Sequence, residues 1–156
     1  MTLTSTNRFF QGRTKDGKRL FEADDNDNTI IGSPDHDQIN GKQGDDLIKA
    51  RSGDDLILGG RGNDTLYGGV GDDILIGGMG HDRLNGGAGS DTFFISYGKR
   101  TIEDFAFNEG DRLLFALFLT NINYEQNGND VLVLSDQGST TILNHNVSDF
   151  HAYGHP

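Results

Sequence analysis

The chain has 156 residues, a formal charge of −11, no cysteine, and a hydrophobic share of only 33%. That length makes one domain with a thin supply of core; the missing cysteines exclude a disulfide framework or a thiolate site, and the acidity argues against nucleic acid as a partner. No apolar run is long enough to span a bilayer and no apolar leader opens the chain, so export is expected to use another signal.

Residues 1–22 carry five bases and two acids. Phe9 and Phe10 precede an Asp16-Gly17 turn signal and Leu20-Phe21, so a short hairpin or an irregular first coil is expected to cover the open edge of the segment after residue 22. Residues 1–22 read as an N-terminal cap.

Residues 23–94 divide without insertion into eight blocks of nine: ADDNDNTII, GSPDHDQIN, GKQGDDLIK, ARSGDDLIL, GGRGNDTLY, GGVGDDILI, GGMGHDRLN and GGAGSDTFF. Position eight is always large and apolar (Ile30, Ile39, Ile48, Ile57, Leu66, Leu75, Leu84, Phe93), and position six is an acid or its amide (Asn28, Asp37, Asp46, Asp55, Asp64, Asp73, Asp82, Asp91). The block holds fourteen acids against five bases, and sixteen of the 23 glycines. Glycines at positions one, two and four permit a tight turn, and the last three residues suit a very short strand. Turn and strand alternating twice per coil give a flattened parallel β-roll in which each block stacks on the second block after it.

Stacked strands lie ~4.8 Å apart, so a cation that binds oxygen at ~2.4 Å, placed midway between two stacked aspartates, reaches both. Without it, each stacked pair costs ~1 kcal/mol in a water-like medium and ~3 kcal/mol at an effective dielectric near 20. The position-eight side chains contribute ~1.5–3 kcal/mol each, against ~1–2 kcal/mol of backbone entropy for every ordered residue. The metal-free block is therefore expected to be largely disordered, with ion binding and folding one event.

The consensus Gly-Gly-x-Gly-x-Asp-x-U-x resembles the calcium-binding nonapeptides of RTX (repeats-in-toxin, hemolysin-type) proteins, most closely from Gly59 to Phe94. The resemblance implies an all-β fold: a parallel β-roll (right-handed β-solenoid) with an N-terminal cap and a C-terminal β-rich cap. It also implies a ligand set. One turn gives the carbonyls of its second and fourth residues and its aspartate; the turn two blocks later gives the carbonyls of its first and third residues and its aspartate. On this chain that joins Lys42, Gly44 and Asp46 to Gly59, Arg61 and Asp64, and it joins Arg51, Gly53 and Asp55 to Gly68, Val70 and Asp73. It joins Gly60, Gly62 and Asp64 to Gly77, Met79 and Asp82, and Gly69, Gly71 and Asp73 to Gly86, Ala88 and Asp91. A fifth site, Asp37 with Asp55 and the carbonyls of Ser33, Asp35, Ala50 and Ser52, departs from the glycine pattern. A sixth, Asn28 with Asp46, has an amide for one carboxylate and is expected to be the weakest. About five Ca2+ are expected, within a range of four to six.

The register continues past both ends of this block. TKDGKRLFE (14–22) and ISYGKRTIE (95–103) keep the glycine at position four and an apolar residue at position eight, but place Arg19 and Arg100 at position six. Stacking by twos sets Arg19 beside Asp37 and Arg100 beside Asp82. Each arginine is either a built-in cation ending a ladder or an ordinary solvated base in a flanking turn.

Residues 95–156 read as a C-terminal capping flank. Strand-like runs are expected at 101–107, 111–115, 131–134 and 140–143, separated by Gly110, the Gln126-Asn127-Gly128-Asn129 loop and the Asp136-Gln137-Gly138 turn. Phe105, Phe107, Leu113, Leu114, Phe115, Leu117 and Phe118 are expected to supply the apolar mass the roll lacks. The runs Ile102-Glu103-Asp104-Phe105 and Gly110-Asp111-Arg112-Leu113 also resemble the RTX C-terminal flank, which implies an uncleaved signal for the type I secretion machinery. The ending DFHAYGHP is more polar than is usual there. His151 and His155, four apart, could hold a transition metal on a helix, but Gly154 and Pro156 favour a frayed tail. His36, His81, Asp45, Asp54 and Asp72, at position five, read as solvated turn residues and acidic surface.

No Gly-x-Ser-x-Gly elbow or phosphate-cradling loop occurs, and periodic acids in glycine turns fit an ion better than an acid–base pair. The expectation is a non-catalytic, calcium-binding β-roll, secreted or at the cell surface, acting as a structural or adhesive protein. An extracellular or cell-surface polysaccharide is the partner an adhesive role would require. The alternative is a C-terminal secretion and stability module of a larger secreted enzyme (protease, lipase or polysaccharide epimerase). The opening Met1 and the capped ends favour the first.

Overall fold

The computed structural model describes residues 10–117 and 119–152. Phe9, Phe118, Gly154, His155 and Pro156, and the side chains of Phe10 and His151, lie outside the described residues.

The repeats form strands β3 (Thr29–Ile31), β4 (Asp37–Gln43), β5 (Leu47–Ser52), β6 (Leu56–Arg61), β7 (Thr65–Val70), β8 (Ile74–Met79), β9 (His81–Ala88) and β10 (Thr92–Ile95). Each pairs in parallel with the second strand after it: Ile39 with Ile57, Ile57 with Leu75, Ile48 with Leu66, Leu66 with Leu84. Alternate blocks therefore feed opposite sheets, and the apolar position faces inward in both because it sits at one fixed place after each turn. The eight position-eight side chains are all 0% exposed. They form two stacks, back to back, and are the whole width of the core.

The stacking by twos carries beyond the repeats, as the period requires. In one sheet β2 (Arg19–Glu22) pairs with β4, placing Arg19 opposite Asp37 and Phe21 opposite Ile39. In the other, β11 (Gly98–Ile102) pairs with β9, placing Arg100 opposite Asp82 and Ile102 opposite Leu84. At the front, β1 (Phe10–Arg13) folds back antiparallel on β2 through a turn in which Gly17 has φ 91° and its N–H donates to the Thr14 carbonyl. The front cover is thus the hairpin.

Behind the repeats, β12 (Arg112–Phe115) extends the first sheet beside β10. The second sheet runs on through β15 (Gly138–Ile142), parallel to β11, and then through β14 (Asp130–Ser135) and β13 (Asn123–Asn127), which are antiparallel. Several expectations change here. Residues 103–107 are not strand; they turn inward, so that Phe105 is buried against Phe93, Phe107 and Phe150. Leu114 is 52% exposed because β12 alternates, presenting Leu113 and in part Phe115 to the core; Leu117, beyond that strand, is fully exposed. Gln126 and Asn127 belong to β13 rather than to a loop; the Gln126 amide closes the hairpin by donating to the carbonyls of Gly128, Asp130 and His145.

The tail is helical at α1 (Val147–Ala152), not frayed there. The Asn146 N–H donates to the Asp149 carboxylate, which is the return half of a capping box. The helix seats Phe150, 0% exposed, against Phe105, Phe107 and Tyr124. Phe150→Ala is expected to cost about 3–5 kcal/mol, read as a lower midpoint in calcium-saturated urea melts.

Candidate metal centre

The turns bring backbone into very close contact. A Cβ on Gly60, where φ is 118°, would stand 2.1 Å from the Lys42 carbonyl oxygen of the turn two blocks earlier. At position one, a Cβ on Gly59 would meet the Asp64 Oδ2 at 2.4 Å and the Gly77 carbonyl oxygen at 2.6 Å. The same arrangement recurs at Gly41 with Asp46 and the Gly59 carbonyl, and at Gly68 with Asp73 and the Gly86 carbonyl. Omitting the side chain leaves room where a carboxylate oxygen and the carbonyl of the next coil converge.

The position-six carboxylates form two ladders. One oxygen of each accepts the N–H of the residue eighteen earlier: Asp46 from Asn28 (2.8 Å), Asp55 from Asp37 (2.7 Å), Asp64 from Asp46 (2.9 Å), Asp73 from Asp55 (2.8 Å), Asp82 from Asp64 (3.2 Å) and Asp91 from Asp73 (2.9 Å). The other oxygen, Oδ2, of Asp46, Asp55, Asp64, Asp73, Asp82 and Asp91 is buried and has no hydrogen-bond partner among the described residues. Six orphaned carboxylate oxygens, three in each ladder, are costly unless something else binds them.

The ladder ends differ. Both Asp37 oxygens are engaged within their own turn, Oδ2 by the Ser33 N–H (2.6 Å) and Oδ1 by the Ser33 hydroxyl (2.8 Å). Arg19, opposite Asp37 in register, pairs instead with Asp35 at 2.6 Å. At the other end Asp111 continues the ladder, accepting the Asp91 N–H (2.9 Å) and the Ala106 N–H (2.8 Å). Asp104 accepts from the N–H groups of Gly86 and Gly87. The nonapeptide register does not find Asp111, because the turn before β12 is two residues longer, and it sets Asp104 at position one rather than six; the Asp-x-Leu of Asp111 to Leu113, shared with Asp64 to Leu66 and Asp82 to Leu84, is the signal for Asp111.

An outer ladder runs beside each of these two. Asp45 accepts the Asn63 N–H, Asn63 the His81 N–H, Asp54 the Asp72 N–H and Asp72 the Ser90 N–H, while the His36 Nδ1 accepts the Asp54 N–H. The position-five residues are therefore exposed but tied from coil to coil, rather than free in solvent. No three His, Cys, Asp or Glu side chains form a metal cluster among the described residues; buried carboxylates occur in pairs with main-chain carbonyls around them.

The family model for the RTX calcium-binding nonapeptide repeat matches four times, at residues 22–57, 31–66, 49–84 and 58–93. Residues 22–93 are RTX calcium-binding nonapeptide repeats. No curated protein matches the chain. Among solved structures, the extracellular lipase LipA from Serratia marcescens is similar over 83% of this chain and 41% of its own, at 15% identity and a TM-score of 0.41. The AlgE6R3 subunit of the Azotobacter vinelandii mannuronan C5-epimerase is similar over 96% of this chain and 82% of its own, at 20% identity and a TM-score of 0.41. The chain thus spans less than half the length of the lipase.

The RTX turns fit calcium. The ion is hard and takes six to eight oxygens, and these turns offer partnerless carboxylate oxygens, crowded carbonyls and no soft ligand. Burial, reinforced by like-charged neighbours, pushes the Asp46, Asp55 and Asp73 carboxyls from 3.8 up to about 7, and those of Asp64 and Asp91 up to about 6. Burial also raises Asp82, while Arg100 pulls it down. Each of these groups binds its proton more tightly folded than unfolded. Their contribution to the metal-free roll is therefore full below about 4 and lost as the pH rises through 6 to 7. In chelator, strand content by circular dichroism should be higher at pH 5 than at pH 7.5, and calcium affinity should weaken below about pH 7 as protons compete; an apo spectrum that gains strand as the pH rises would contradict this.

Proposed function

We propose that this chain is a secreted, non-catalytic structural or adhesive module that folds when it meets extracellular calcium. The observation that carries the reading is the two rows of three buried carboxylates, Asp46, Asp64 and Asp82 in one and Asp55, Asp73 and Asp91 in the other, each with one oxygen left without a partner among the described residues. Four sites have both carboxylates in one of those rows: Asp46 with Asp64, Asp55 with Asp73, Asp64 with Asp82, and Asp73 with Asp91. The carbonyls assigned to them are those of Lys42, Gly44, Arg51, Gly53, Gly59, Gly60, Arg61, Gly62, Gly68, Gly69, Val70, Gly71, Gly77, Met79, Gly86 and Ala88, of which Gly59, Gly77 and Gly86 approach the Asp46, Asp64 and Asp73 carboxylates beside the position-one glycines. Two flanking positions bind more weakly. At Asp37 with Asp55 an ion must displace the Ser33 hydrogen bonds, and at Asp91 with Asp111 it must compete with the Ala106 N–H.

Binding replaces repulsion along each ladder with bridging cations, so the ions supply the cohesion a two-residue-wide core lacks. The periodic acids are accounted for by the ladders, which leaves no carboxylate pair assigned to acid–base chemistry. An adhesive role would present the outer rows of the roll to a polysaccharide once the ions have neutralised the repeat surface. Calorimetric titration of the unfolded chain should give four tight ions and up to two weaker ones, with a heat-capacity change of folding. Binding of fewer than four ions would overturn the ligand assignment, and a glycan array run with and without chelator tests the adhesive role.

A further inference from the structure

The ladder through Asn28, Asp46, Asp64, Asp82 and Arg100 ends in a nitrogen side chain on each side, and both nitrogen groups lie on carbonyls that a calcium ion would otherwise take. This rests on the ligand assignment just given. Extended one step in either direction, that assignment would use the carbonyls of Asp24, Asn26, Gly41 and Gln43 at the front, of which Asn28 holds the first two, and those of Gly78, Gly80, Ile95 and Tyr97 at the back.

At the front, Asn28 is 4% exposed and its Nδ2 donates to the carbonyls of Asp24 (3.4 Å) and Asn26, and to the Asp24 carboxylate (3.0 Å). The amide thus holds both carbonyls of its turn. At the back, Arg100 is 3% exposed, and its guanidinium donates to the carbonyls of Gly78 (3.4 Å), Tyr97 and Ser96 (3.2 Å). The two remaining carbonyls accept main-chain donors, Gly80 the Lys99 N–H (2.7 Å) and Ile95 the Ala116 N–H (2.9 Å), as the ligand carbonyls of Arg61, Val70, Met79 and Ala88 also do, so the guanidinium is what sets this end apart. Inside the repeats the corresponding position-five N–H goes elsewhere: that of His81 donates to the Asn63 side chain. Burial disfavours the Arg100 cation and the Asp82 charge opposite supports it, the balance a bound metal would meet at the same place.

We propose that Asn28 and Arg100 are covalent stops that occupy the terminal calcium cradles of this ladder and thereby limit it to two ions. Both stops are buried, and each turns its N–H donors on carbonyls: a neutral amide at the front, beside Asp46 and Asp24, and a cation at the back, opposite Asp82. Arg19 is not such a stop, since it reaches out to Asp35.

The test counts ions on the folded full chain by native mass spectrometry after calcium saturation. Asn28→Asp, nearly isosteric and at the outer end, should bind one ion more than the native chain, and Arg100→Asp should likewise gain one. Arg100→Lys should keep the native count, because it keeps the charge. An Asn28→Asp count equal to native overturns the proposal even if Arg100→Asp does not fold. A native chain that binds no calcium would instead remove the ligand assignment beneath it, so the two failures are distinguishable.

Discussion

Replacing Asp64 by Ala is expected to remove two calcium ions rather than one. Asp64 accepts the Asp46 N–H on one side, and its N–H donates to Asp82 on the other, so the same carboxylate stands between two successive coils of its ladder. Asp73 has the same position between Asp55 and Asp91. Losing it should also cost two ions, whereas Asp46→Ala should cost one full site, its front gap being held by the Asn28 amide. With ion binding and folding coupled as proposed, the calcium needed for half-maximal folding should rise at least about tenfold for Asp64→Ala, equivalent to ~1.4 kcal/mol or more. A single-ion loss at Asp64, read by calorimetry or native mass spectrometry, would mean that the carboxylates are not shared between coils.

Gly60→Ala is expected to be nearly as severe for a purely steric reason. The methyl would lie 2.1 Å from the Lys42 carbonyl oxygen at a φ of 118°, and neither the backbone it meets nor the coil below can yield without breaking β4–β6 pairing. The cost should be about 3 kcal/mol or more, and calcium should not rescue it, since Lys42 supplies a proposed ligand carbonyl. Gly17→Ala makes the control: φ is 91° there but nothing lies within 4 Å, so only backbone strain of ~1 kcal/mol remains. Equal effects from the two substitutions would show that conformation, not coil contact, dictates the glycines.

The parts of this structure legible in the sequence are those set by the period. A nine-residue repeat with one apolar position can bury that position only by stacking alternate blocks, so the pairing of Ile39 with Ile57, or of Arg100 with Asp82, comes from counting. The carboxylate ladder arises for the same reason. The elements that escaped the pattern had no period to reveal them. β13 reads NYEQN, with Tyr124 its one apolar residue, and owes its place to pairing with β14 and to the Gln126 amide. α1 is six residues long and is held by one buried ring, Phe150, and one capping carboxylate, Asp149. Asp111 keeps its rung although its turn is longer by two residues, because β12 still pairs in register with β10. The outer ladders are hidden differently: position five varies among Asp, Asn, His and Ser, residues whose common property is an acceptor able to take a backbone N–H.

The central claim is that calcium is the staple of a roll whose own core is too narrow, and far-UV circular dichroism of the full chain in chelator and then in excess calcium at pH 7.5 tests it most directly. The account predicts a largely disordered spectrum in chelator that turns to strand on adding calcium, reversibly. A chain already strand-rich in chelator at that pH would contradict it, and would mean that the hairpin, the Arg100 plug and the aromatic cap hold the ladders together against the charge of their own carboxylates.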